Sequence, residues 1–299
     1  MTEKPLVSVI INCYNGEKYL REAIGSVIAQ TYENWELVFW DNQSTDSTRE
    51  IVESYKNPKI KYFYAPEHTP LGEARNLAVE KANGEYINFL DADDVWMPEK
   101  LEKQIALVEP GTVETVITGY EIIADENAKK LALYAAFEYY KDRKVKDIYT
   151  LDDFLLNGPL VVFSSVLFNK KIYSEVGGID PEFEQNEDYD IIVKSATRSN
   201  IGYVRDSFTK YRIHGGNNST INGVLGYLEN RKIFDKMPDS PALRKAKEIN
   251  ETRIAAYNIV TTKSFNIFLK DVLLKGRILI FCRLFLEKMK RRVFVNTHK

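Results

Sequence analysis

Residues 6–41 read LVSVIINCYNGEKYLREAIGSVIAQTYENWELVFWD, and the fold class follows from this stretch. Its first eight residues form a β-rich apolar run, which predicts a strand covered on both faces. After the Asn15-Gly16 turn, apolar residues recur at helical spacing to about residue 30, and residues 36–40 predict a second strand. A strand, a helix and a strand in this order predict a parallel pair inside an α/β fold.

The same alternation continues to residue 108, with strands predicted at 60–65 and 86–90. Helices follow each of the first four strands, so parallel strands with helices on both faces are expected. Later strands are predicted at 115–123, 161–168 and 203–211, whereas residues 131–140 fit either a helix or a strand. Because the pattern turns helical after about residue 225, we predict an α/β domain over 1–225 and a helical extension over 226–299.

The composition of the chain excludes several classes of protein. It has 299 residues, of which 44% are hydrophobic and 28% charged, so it is globular rather than disordered. Its net charge of -2 argues against a nucleic-acid partner, since nucleic-acid-binding chains are usually strongly basic. Cys13 and Cys282 are too few for a disulfide framework, which favours a reducing, cytoplasmic location. The sequence contains no uncharged apolar stretch of about 18 residues, so no membrane-spanning helix is predicted.

The end of the chain differs from the rest in charge. Residues 263–299 hold ten Lys or Arg and two Asp or Glu, interleaved with apolar residues. A basic amphipathic segment suits an anionic membrane surface, such as the inner face of the cytoplasmic membrane. Two alternatives stay open: the segment packs on the catalytic domain, or it packs on a second copy in a homodimer.

Three predicted strands end in polar residues. These residues are 12–15 after the first strand, Asp41-Asn42 after the second, and 91–94 after the fourth. In parallel sheets, ligands bind at the carboxyl ends of the strands. The sequence therefore predicts a binding site at this rim.

Asp91-Ala92-Asp93 is the sharpest local signal at the rim. Two carboxylates one residue apart can share Mg²⁺ or Mn²⁺, which prefer oxygen ligands and offset negative charge on a diphosphate. The alternative is a solvated turn in which Asp94 caps the next helix. Asp41 can accept a hydrogen bond from a base N–H or a ribose hydroxyl, or it is a turn residue.

Four further residues are candidates for chemistry. Asp188 follows Glu187 near a predicted helix start and could take a proton from a hydroxyl, unless the pair only complements the helix dipole. His214 is a candidate metal or phosphate contact, and Arg212 beside it a candidate anion contact. Arg75 opens a helix near the rim, where a surface salt bridge is the alternative. His68 and His298 have no partner in the pattern.

Together these motifs resemble the family 2 glycosyltransferases of the GT-A fold. The resemblance covers about residues 5–219 and rests on the quoted opening stretch through DNQSTDST, on GEARNLAVEKANGEYINFLDADDVWMP, and on EVGGIDPEF, NEDYDI and YRIH. It implies a Rossmann-like mixed sheet with helices on both faces. It also implies inverting transfer of a sugar from a UDP-, GDP- or dTDP-sugar to a saccharide or lipid-linked acceptor, in the synthesis of cell-surface polysaccharide or lipopolysaccharide.

The resemblance also implies roles for individual residues. The implied donor-binding residues are Asn12, Tyr14, Asn15, Asp41, Arg75, Asp91 and Ala92, with Tyr14 along the base. The implied ligands of Mn²⁺ or Mg²⁺ are Asp93, Asp91 and His214. Asp188 is implied as the general base that deprotonates the acceptor hydroxyl.

The sequence departs from the family pattern in two places. Asn42 and Gln43 replace an acid and a small residue, so the family's ribose contacts are not carried over there. The Q-x-x-R-W motif of processive members is absent from the sequence, which favours a single sugar addition.

Two other functions are alternatives to this one. A nucleotidyltransferase needs a glycine-rich basic loop, and residues 12–18 hold one glycine and one lysine. An inactive nucleotide-sugar-binding scaffold at the membrane is the other alternative. The four acidic residues that the resemblance assigns argue against it: Asp41, Asp91, Asp93 and Asp188.

Overall fold

The computed structural model describes residues 4–125, 145–158, 161–214 and 224–262. The chain divides into two compact units, Met1–Asn217 and Asn218–Lys299, here called the first and second unit. The first unit contains the sheet and all candidate site residues.

The first half of the first unit alternates strands and helices. Its elements are β1 (Val7–Cys13), α1 (Leu20–Ile28), β2 (Trp35–Asp41), α2 (Thr48–Glu53), β3 (Ile60–Tyr64), α3 (Leu71–Glu80), β4 (Tyr86–Phe89), β5 (Val95–Trp96) and α4 (Lys100–Leu107). The second half adds β6 (Val113–Ala124), β7 (Ile148–Tyr149), α5 (Leu151–Asn157), a 3₁₀ turn (Phe163–Ser165), β8 (Val166–Asn169), α6 (Lys170–Glu175), α7 (Glu187–Ala196) and β9 (Asn200–Ile213).

The strands form one mixed sheet in the order β3-β2-β1-β4-β8-β6-β9-β5, with β7 paired to β9. Strands β1 to β4 are mutually parallel where they pair, as predicted, and β8 runs antiparallel to β4 and β6. β1 lies inside the parallel half, and its apolar side chains are buried because both faces of the sheet are covered. The parallel arrangement brings the carboxyl ends of β1, β2 and β4 to one rim.

Three elements differ from the sequence-based expectations, and one of them is the two-residue strand β7, which the pattern does not predict. The predicted strand over 161–168 begins as a 3₁₀ turn at Phe163–Ser165 and becomes a strand only at Val166. Two residues, Val95 and Trp96, form the short strand β5, which pairs antiparallel with β9. The indole N–H of Trp96 donates to the Ser164 carbonyl at 2.8 Å, so β5 and the 3₁₀ turn support each other. Residues 131–140 lie outside the described residues.

A buried polar network lies under the β4–β5 connection. Lys100 is fully buried, and its Nζ donates to Asn88 Oδ1 at 3.1 Å and Gln104 Oε1 at 2.9 Å. The ammonium also lies 4.0 Å from the centre of the Trp96 ring. Burial lowers the pKa of Lys100 well below its ordinary value. These contacts fix α4 against the strands that carry the rim.

The second unit contains two described helices, α8 (Leu225–Asp235) and α9 (Pro241–Thr262). Arg231 on α8 makes a bidentate ion pair with Glu251 on α9, with both N–O distances 2.7 Å. Asn250 Nδ2 donates to the Tyr227 carbonyl at 2.8 Å. Among the described helices, none is long and apolar enough to cross a membrane. The predicted basic segment 263–299 lies outside the described residues.

Candidate functional site

Two loops at the rim are joined by hydrogen bonds. The Asn42 backbone N–H donates to the Cys13 carbonyl at 2.8 Å, which links the ends of β2 and β1. The side-chain oxygen of Asn15 accepts from the Thr45 N–H at 2.8 Å, and the Asn15 N–H donates to Ser44 Oγ at 2.9 Å. Asn15 has a φ of 55°, a left-handed conformation that asparagine tolerates better than most residues. The loops after β1 and β2 therefore form one continuous wall.

Asp41 ends β2 beneath this wall and is only 1% exposed. Its Oδ1 accepts from the Ser44 N–H at 2.7 Å, and its Oδ2 accepts from the Tyr62 hydroxyl at 2.6 Å. Burial raises the pKa of Tyr62, and the adjacent Asp41 carboxylate raises it further. In this structure Asp41 therefore holds the loop after β2 to β3. A carboxylate that accepts two hydrogen bonds retains acceptor capacity for a third.

Asn12 and Trp40 lie side by side in the sheet. They are register partners across β1 and β2, so their side chains share one face. Neither the Asn12 amide nor the Trp40 indole N–H has a hydrogen-bond partner within the described part of the chain. A buried polar group left unpaired costs about 1–3 kcal/mol, so a ligand or water that pairs with these atoms is favoured.

Tyr14 and His68 form an aromatic pair at the mouth of the same region. Tyr14 is 56% exposed, and its ring centre lies 4.6 Å from that of His68 in an edge-to-face arrangement. His68 Nδ1 lies 2.8 Å from the Asn42 carbonyl, which only accepts, so Nδ1 carries the hydrogen. The sequence pattern missed His68 because its partners come from the loops after β1 and β2.

The segment after β4 is anchored on two sides. The Asp91 N–H donates to Ser164 Oγ at 3.1 Å, and the Asp94 N–H donates to the Asp91 carbonyl at 3.1 Å. Asp94 is buried, and its Oδ1 accepts from the Arg212 N–H of β9 at 2.8 Å. The interpretation of Asp94 as a solvated cap of the next helix is therefore wrong, since Asp94 holds this loop to β9.

Asp93 and His214 meet although 121 positions separate them. Asp93 Oδ2 lies 2.8 Å from His214 Nε2, and both side chains are partly exposed. Burial raises the pKa of Asp93, the negative charge of Asp91 raises it further, and His214 opposes this shift. Burial likewise raises the pKa of Asp94 well above its ordinary value, with Asp91 and Asp93 adding to the effect. Burial and the proximity of the three carboxyl groups therefore disfavour their ionisation, which a cation bound at this loop would favour.

This donor set fits a divalent cation. Carboxylate oxygens of Asp91 and Asp93 and an imidazole nitrogen of His214 are ligands that Mn²⁺ accepts, and the carboxylates alone suit Mg²⁺. Across the described residues, no group of three or more His, Cys, Asp or Glu side chains is assembled as a metal site. The pair in direct contact is Asp93 and His214.

Arg75 joins the two acidic sides of the site. Its Nη2 donates to Asp91 Oδ1 at 2.8 Å, and its Nη1 donates to Glu187 Oε1 at 3.1 Å. The guanidinium lies 4.3 Å from the centre of the Phe163 ring, and the side chain is 4% exposed. The alternative of a surface salt bridge is therefore wrong, because the Arg75 guanidinium that makes both ion pairs is buried. Its guanidinium is engaged with carboxylates at the inner side of the rim.

The next residue of α3, Asn76, fixes the segment that leads to α7. Asn76 Nδ2 donates to the Ile179 carbonyl at 2.7 Å, and Asn76 Oδ1 accepts from the Ile179 N–H at 3.1 Å. Gly178 has a φ of +66°, and a Cβ there would lie 2.7 Å from Asn76 Oδ1, so only glycine fits. Consecutive residues of α3 thus position both the start of α7 and the loop after β4.

Asp188 lies in the first turn of α7, where its Oδ1 accepts from the Tyr189 N–H at 2.6 Å. Burial raises the pKa of Asp188 to about 7, the negative charge of Glu187 contributes, and Arg75 opposes the shift. A carboxylate with a pKa near neutrality is suited to accept a proton in a general-base step. Of the Glu187-Asp188 pair that the sequence singles out, Glu187 accepts a hydrogen bond from Arg75, a contact that the sequence pattern does not predict.

Comparisons with known proteins bear on the family and the fold of this chain. The profile of the family described as "Glycosyl transferase family 2" matches residues 8–177, more than half of the chain. An uncharacterized glycosyltransferase of Rickettsia typhi is 34% identical over 230 residues, which cover 76% of this chain and 70% of that protein. The Escherichia coli UDP-Glc:alpha-D-GlcNAc-diphosphoundecaprenol beta-1,3-glucosyltransferase WfgD is 40% identical over 118 residues, covering 40% of this chain and 47% of WfgD.

A solved structure supports the fold independently. The mannosyltransferase PcManGT from Pyrobaculum calidifontis, solved with GDP-Man and Mn²⁺, superimposes with a TM-score of 0.65 at 17% identity. The match covers 98% of this chain and 85% of PcManGT. The mixed sheet with flanking helices and C-terminal helices is therefore the GT-A architecture that the sequence predicted. The sequence profile and the relatives show that this chain is a glycosyltransferase and belongs to glycosyltransferase family 2.

Proposed function

We propose that this protein transfers one sugar from a nucleoside-diphosphate sugar to an acceptor hydroxyl, with inversion at the anomeric carbon and with a divalent cation. One observation carries the proposal: Arg75 binds both Asp91 of the rim loop and Glu187 beside Asp188. A candidate diphosphate site and a candidate base thus share a single buried cation. This arrangement suits a reaction in which a leaving diphosphate and an incoming hydroxyl meet at one carbon.

The nucleoside would bind along the wall formed by the loops after β1 and β2. Tyr14 offers an exposed ring for stacking with a base, and His68 stands beside it. Asp41 retains acceptor capacity for a base N–H or a ribose hydroxyl. The buried amide of Asn12 adds unpaired donor and acceptor atoms nearby. Asn15 shapes the wall, because its side chain holds the loop after β2.

The diphosphate would lie at the loop after β4. Asp93 and His214 would hold Mn²⁺ or Mg²⁺, with Asp91 directed to the metal or the ribose and Ala92 between them leaving room for the donor. When bound, the cation neutralises negative charge that develops on the leaving diphosphate. In this proposal Arg75 acts from behind the loop, since its guanidinium orients the Asp91 carboxylate.

Asp188 would act as the general base. Its carboxylate accepts the proton of the acceptor hydroxyl while that oxygen forms a bond to the anomeric carbon and the carbon–oxygen bond to the diphosphate breaks. Attack from the face opposite the leaving group inverts the configuration in one displacement. Glu187 and Arg75 set the charge around Asp188 and thereby its pKa.

Substrates are proposed from the relatives and from the chemistry of the site. The name of WfgD specifies UDP-Glc and a GlcNAc-diphosphoundecaprenol acceptor, and PcManGT was solved with GDP-Man. We propose a UDP-, GDP- or dTDP-sugar as donor and a saccharide or lipid-linked saccharide as acceptor. Synthesis of a cell-surface polysaccharide or lipopolysaccharide is the corresponding process.

The C-terminal part of the chain would place the enzyme at the membrane. We propose residues 1–225 as the catalytic domain and 226–299 as an extension of a cytoplasmic enzyme. The basic apolar segment 263–299 would contact the inner face of the cytoplasmic membrane, near a lipid-linked acceptor. Loss of binding to anionic vesicles on removal of 263–299 supports this contact. Unchanged vesicle binding, or a change from dimer to monomer in its place, contradicts it.

Product stereochemistry tests the reaction type. Proton NMR of the product, made with an α-linked nucleotide sugar, should show a β linkage, and EDTA should stop its formation until Mn²⁺ or Mg²⁺ is restored. An α-linked product would contradict single displacement. Transfer that persists unchanged in EDTA would contradict the role of the cation.

A further inference from the structure

Arg212, at the end of β9, holds two consecutive residues of the loop after β4. Its backbone N–H donates to Asp94 Oδ1 at 2.8 Å, and its side-chain Nε donates to the carbonyl oxygen of Asp93 at 2.8 Å. The first contact fixes a side chain and the second fixes the peptide between Asp93 and Asp94. Arg212 therefore restrains both the position of the Asp94 side chain and the orientation of the Asp93–Asp94 peptide.

The outer side of the same guanidinium binds α1. Its Nη2 donates to Glu22 Oε2 at 2.9 Å, and the guanidinium carbon lies 4.5 Å from the centre of the Tyr19 ring. The Tyr19 ring in turn lies 5.2 Å from the ring of His214. The Arg212 side chain is only 11% exposed, since a carbonyl, a carboxylate and an aromatic face surround it.

These contacts distinguish Arg212 from an arginine whose guanidinium is available to bind a phosphate. An anion-binding guanidinium presents its N–H groups to the ligand, commonly two at a time. Here Nε is directed to a main-chain carbonyl and Nη2 to a carboxylate, and little of the side chain faces solvent. The interpretation of Arg212 as an anion contact is therefore not favoured by its geometry.

We propose that Arg212 is a positioning residue for the metal site, which orients the Asp93 carboxylate by fixing the Asp93 carbonyl. The inference rests on the proposed function, in which Asp93 holds the cation. Rotation of the peptide after Asp93 would move its side chain relative to His214, which lies 2.8 Å away. The planar fork of arginine reaches the Asp93 carbonyl and Glu22 together, whereas a lysine ammonium is a single point charge.

The experiment compares Mn²⁺ binding among matched variants. Binding is measured by electron paramagnetic resonance with UDP and separately with GDP, in the full chain. Arg212→Met and Arg212→Lys test the proposal, and Arg205→Met is the control, because Arg205 lies on the same strand, is 62% exposed and pairs with Asp147. The affinity of each variant for the nucleotide alone is measured in EDTA, and thermal unfolding checks that each one folds.

The proposal expects Arg212→Met to weaken Mn²⁺ binding about 10- to 100-fold, as removal of outer-sphere partners of a metal site does. Arg212→Lys should not restore it, Arg205→Met should change it by less than twofold, and nucleotide affinity in EDTA should stay constant. Glu22→Gln keeps the contact between Arg212 and the Asp93 carbonyl, so it should weaken Mn²⁺ binding only a few-fold. This variant replaces Arg212→Met in the experiment if Arg212→Met does not fold.

Three results would overturn the proposal. Unchanged Mn²⁺ affinity in Arg212→Met and Arg212→Lys means that Arg212 does not position Asp93. If Arg212→Met loses as much affinity for the nucleotide in EDTA as it loses for Mn²⁺, Arg212 contacts the diphosphate itself. Absence of Mn²⁺ binding by the wild-type chain, or binding that Asp93→Asn leaves unchanged, overturns the proposed metal site and this inference with it. The first two results leave the proposed function intact, so the two failures are distinguishable.

Discussion

The guanidinium of Arg75 binds Glu187 at 3.1 Å, across 112 positions of sequence, while its other amino group binds Asp91. Together the two contacts join the first turn of α7 to the loop after β4 through one side chain of α3. Because Asp188 follows Glu187, the ion pair also positions the proposed base. The relative placement of the donor and acceptor sides of the reaction thus depends on one side chain of α3.

Replacement of Arg75 by Met should destabilise the first unit strongly. The change leaves the Glu187 carboxylate, which is 12% exposed, without its cation, and breaking a buried ion pair costs up to about 3–5 kcal/mol. The Asp91 carboxylate is 37% exposed, so solvent screening reduces its share of the loss. All three tryptophans, Trp35, Trp40 and Trp96, lie in this unit, so urea unfolding followed by their fluorescence reports on it. Arg49→Met is the control, since its exposed pair with Glu53 should contribute less than about 1 kcal/mol. Equal losses in the two variants would contradict the role assigned to Arg75.

Replacement of Asp188 by Asn should lower kcat by about 10²–10⁴ while donor binding stays unchanged, because an amide cannot accept the proton. Steady-state kinetics give kcat, and calorimetric titration with the nucleoside diphosphate gives the affinity. Asp152→Asn, at an exposed position in the first turn of α5, should leave both quantities unchanged. A variant Asp188→Asn with full kcat would exclude Asp188 as the base.

The pKa of Asp188 predicts an acid limb in the pH–rate profile. With a pKa of about 7, the carboxyl group is protonated at pH 6, so kcat/KM should fall about tenfold per unit below pH 7. Since the charge of Glu187 raises this pKa, Glu187→Gln should move the limb to lower pH. A limb near pH 4 in the wild-type enzyme, or a shift to higher pH in Glu187→Gln, would be incompatible with this account.

Tyr14 should contribute to binding of the nucleotide base. Stacking on an aromatic side chain is worth about 1–3 kcal/mol per base, so Tyr14→Ala should weaken nucleoside diphosphate binding at least about fivefold. Tyr64→Ala is the control, because Tyr64 is similarly exposed but lies at the end of the edge strand β3. Isothermal titration with UDP and GDP measures both variants. Equal affinities for Tyr14→Ala and the wild type would remove Tyr14 from the base site.

The local sequence pattern is sufficient to predict most strands in the parallel half of the sheet. The strands at 6–13, 36–40 and 86–90 were predicted because their runs of buried apolar residues are unambiguous, and their order fixed a common rim. The C-terminal helices α8 and α9 likewise follow from periodicity. β5 was missed because two residues carry no periodicity, and its existence depends on pairing with β9.

The partners of the site residues could not be predicted in the same way. The contact between Arg75 and Glu187 and that between Arg212 and Asp93 join residues more than 100 positions apart, and charge alone does not specify such pairs. Lys100 is a charged residue at a helix start, yet it is fully buried because Asn88 and Gln104 supply acceptors. The contacts of His68 with Tyr14 and Asn42 form only when the loops after β1 and β2 are folded side by side.

A donor screen tests the enzyme as a whole. Purified protein is incubated with UDP-, GDP- and dTDP-sugars, Mn²⁺ or Mg²⁺, and saccharide and lipid-linked acceptors, and release of nucleoside diphosphate is measured beside Asp93→Ala and Asp188→Ala. We expect release of nucleoside diphosphate from one donor, and we expect Asp93→Ala and Asp188→Ala to abolish it. Donor binding without release under any metal and acceptor, or release that survives both substitutions, would contradict it.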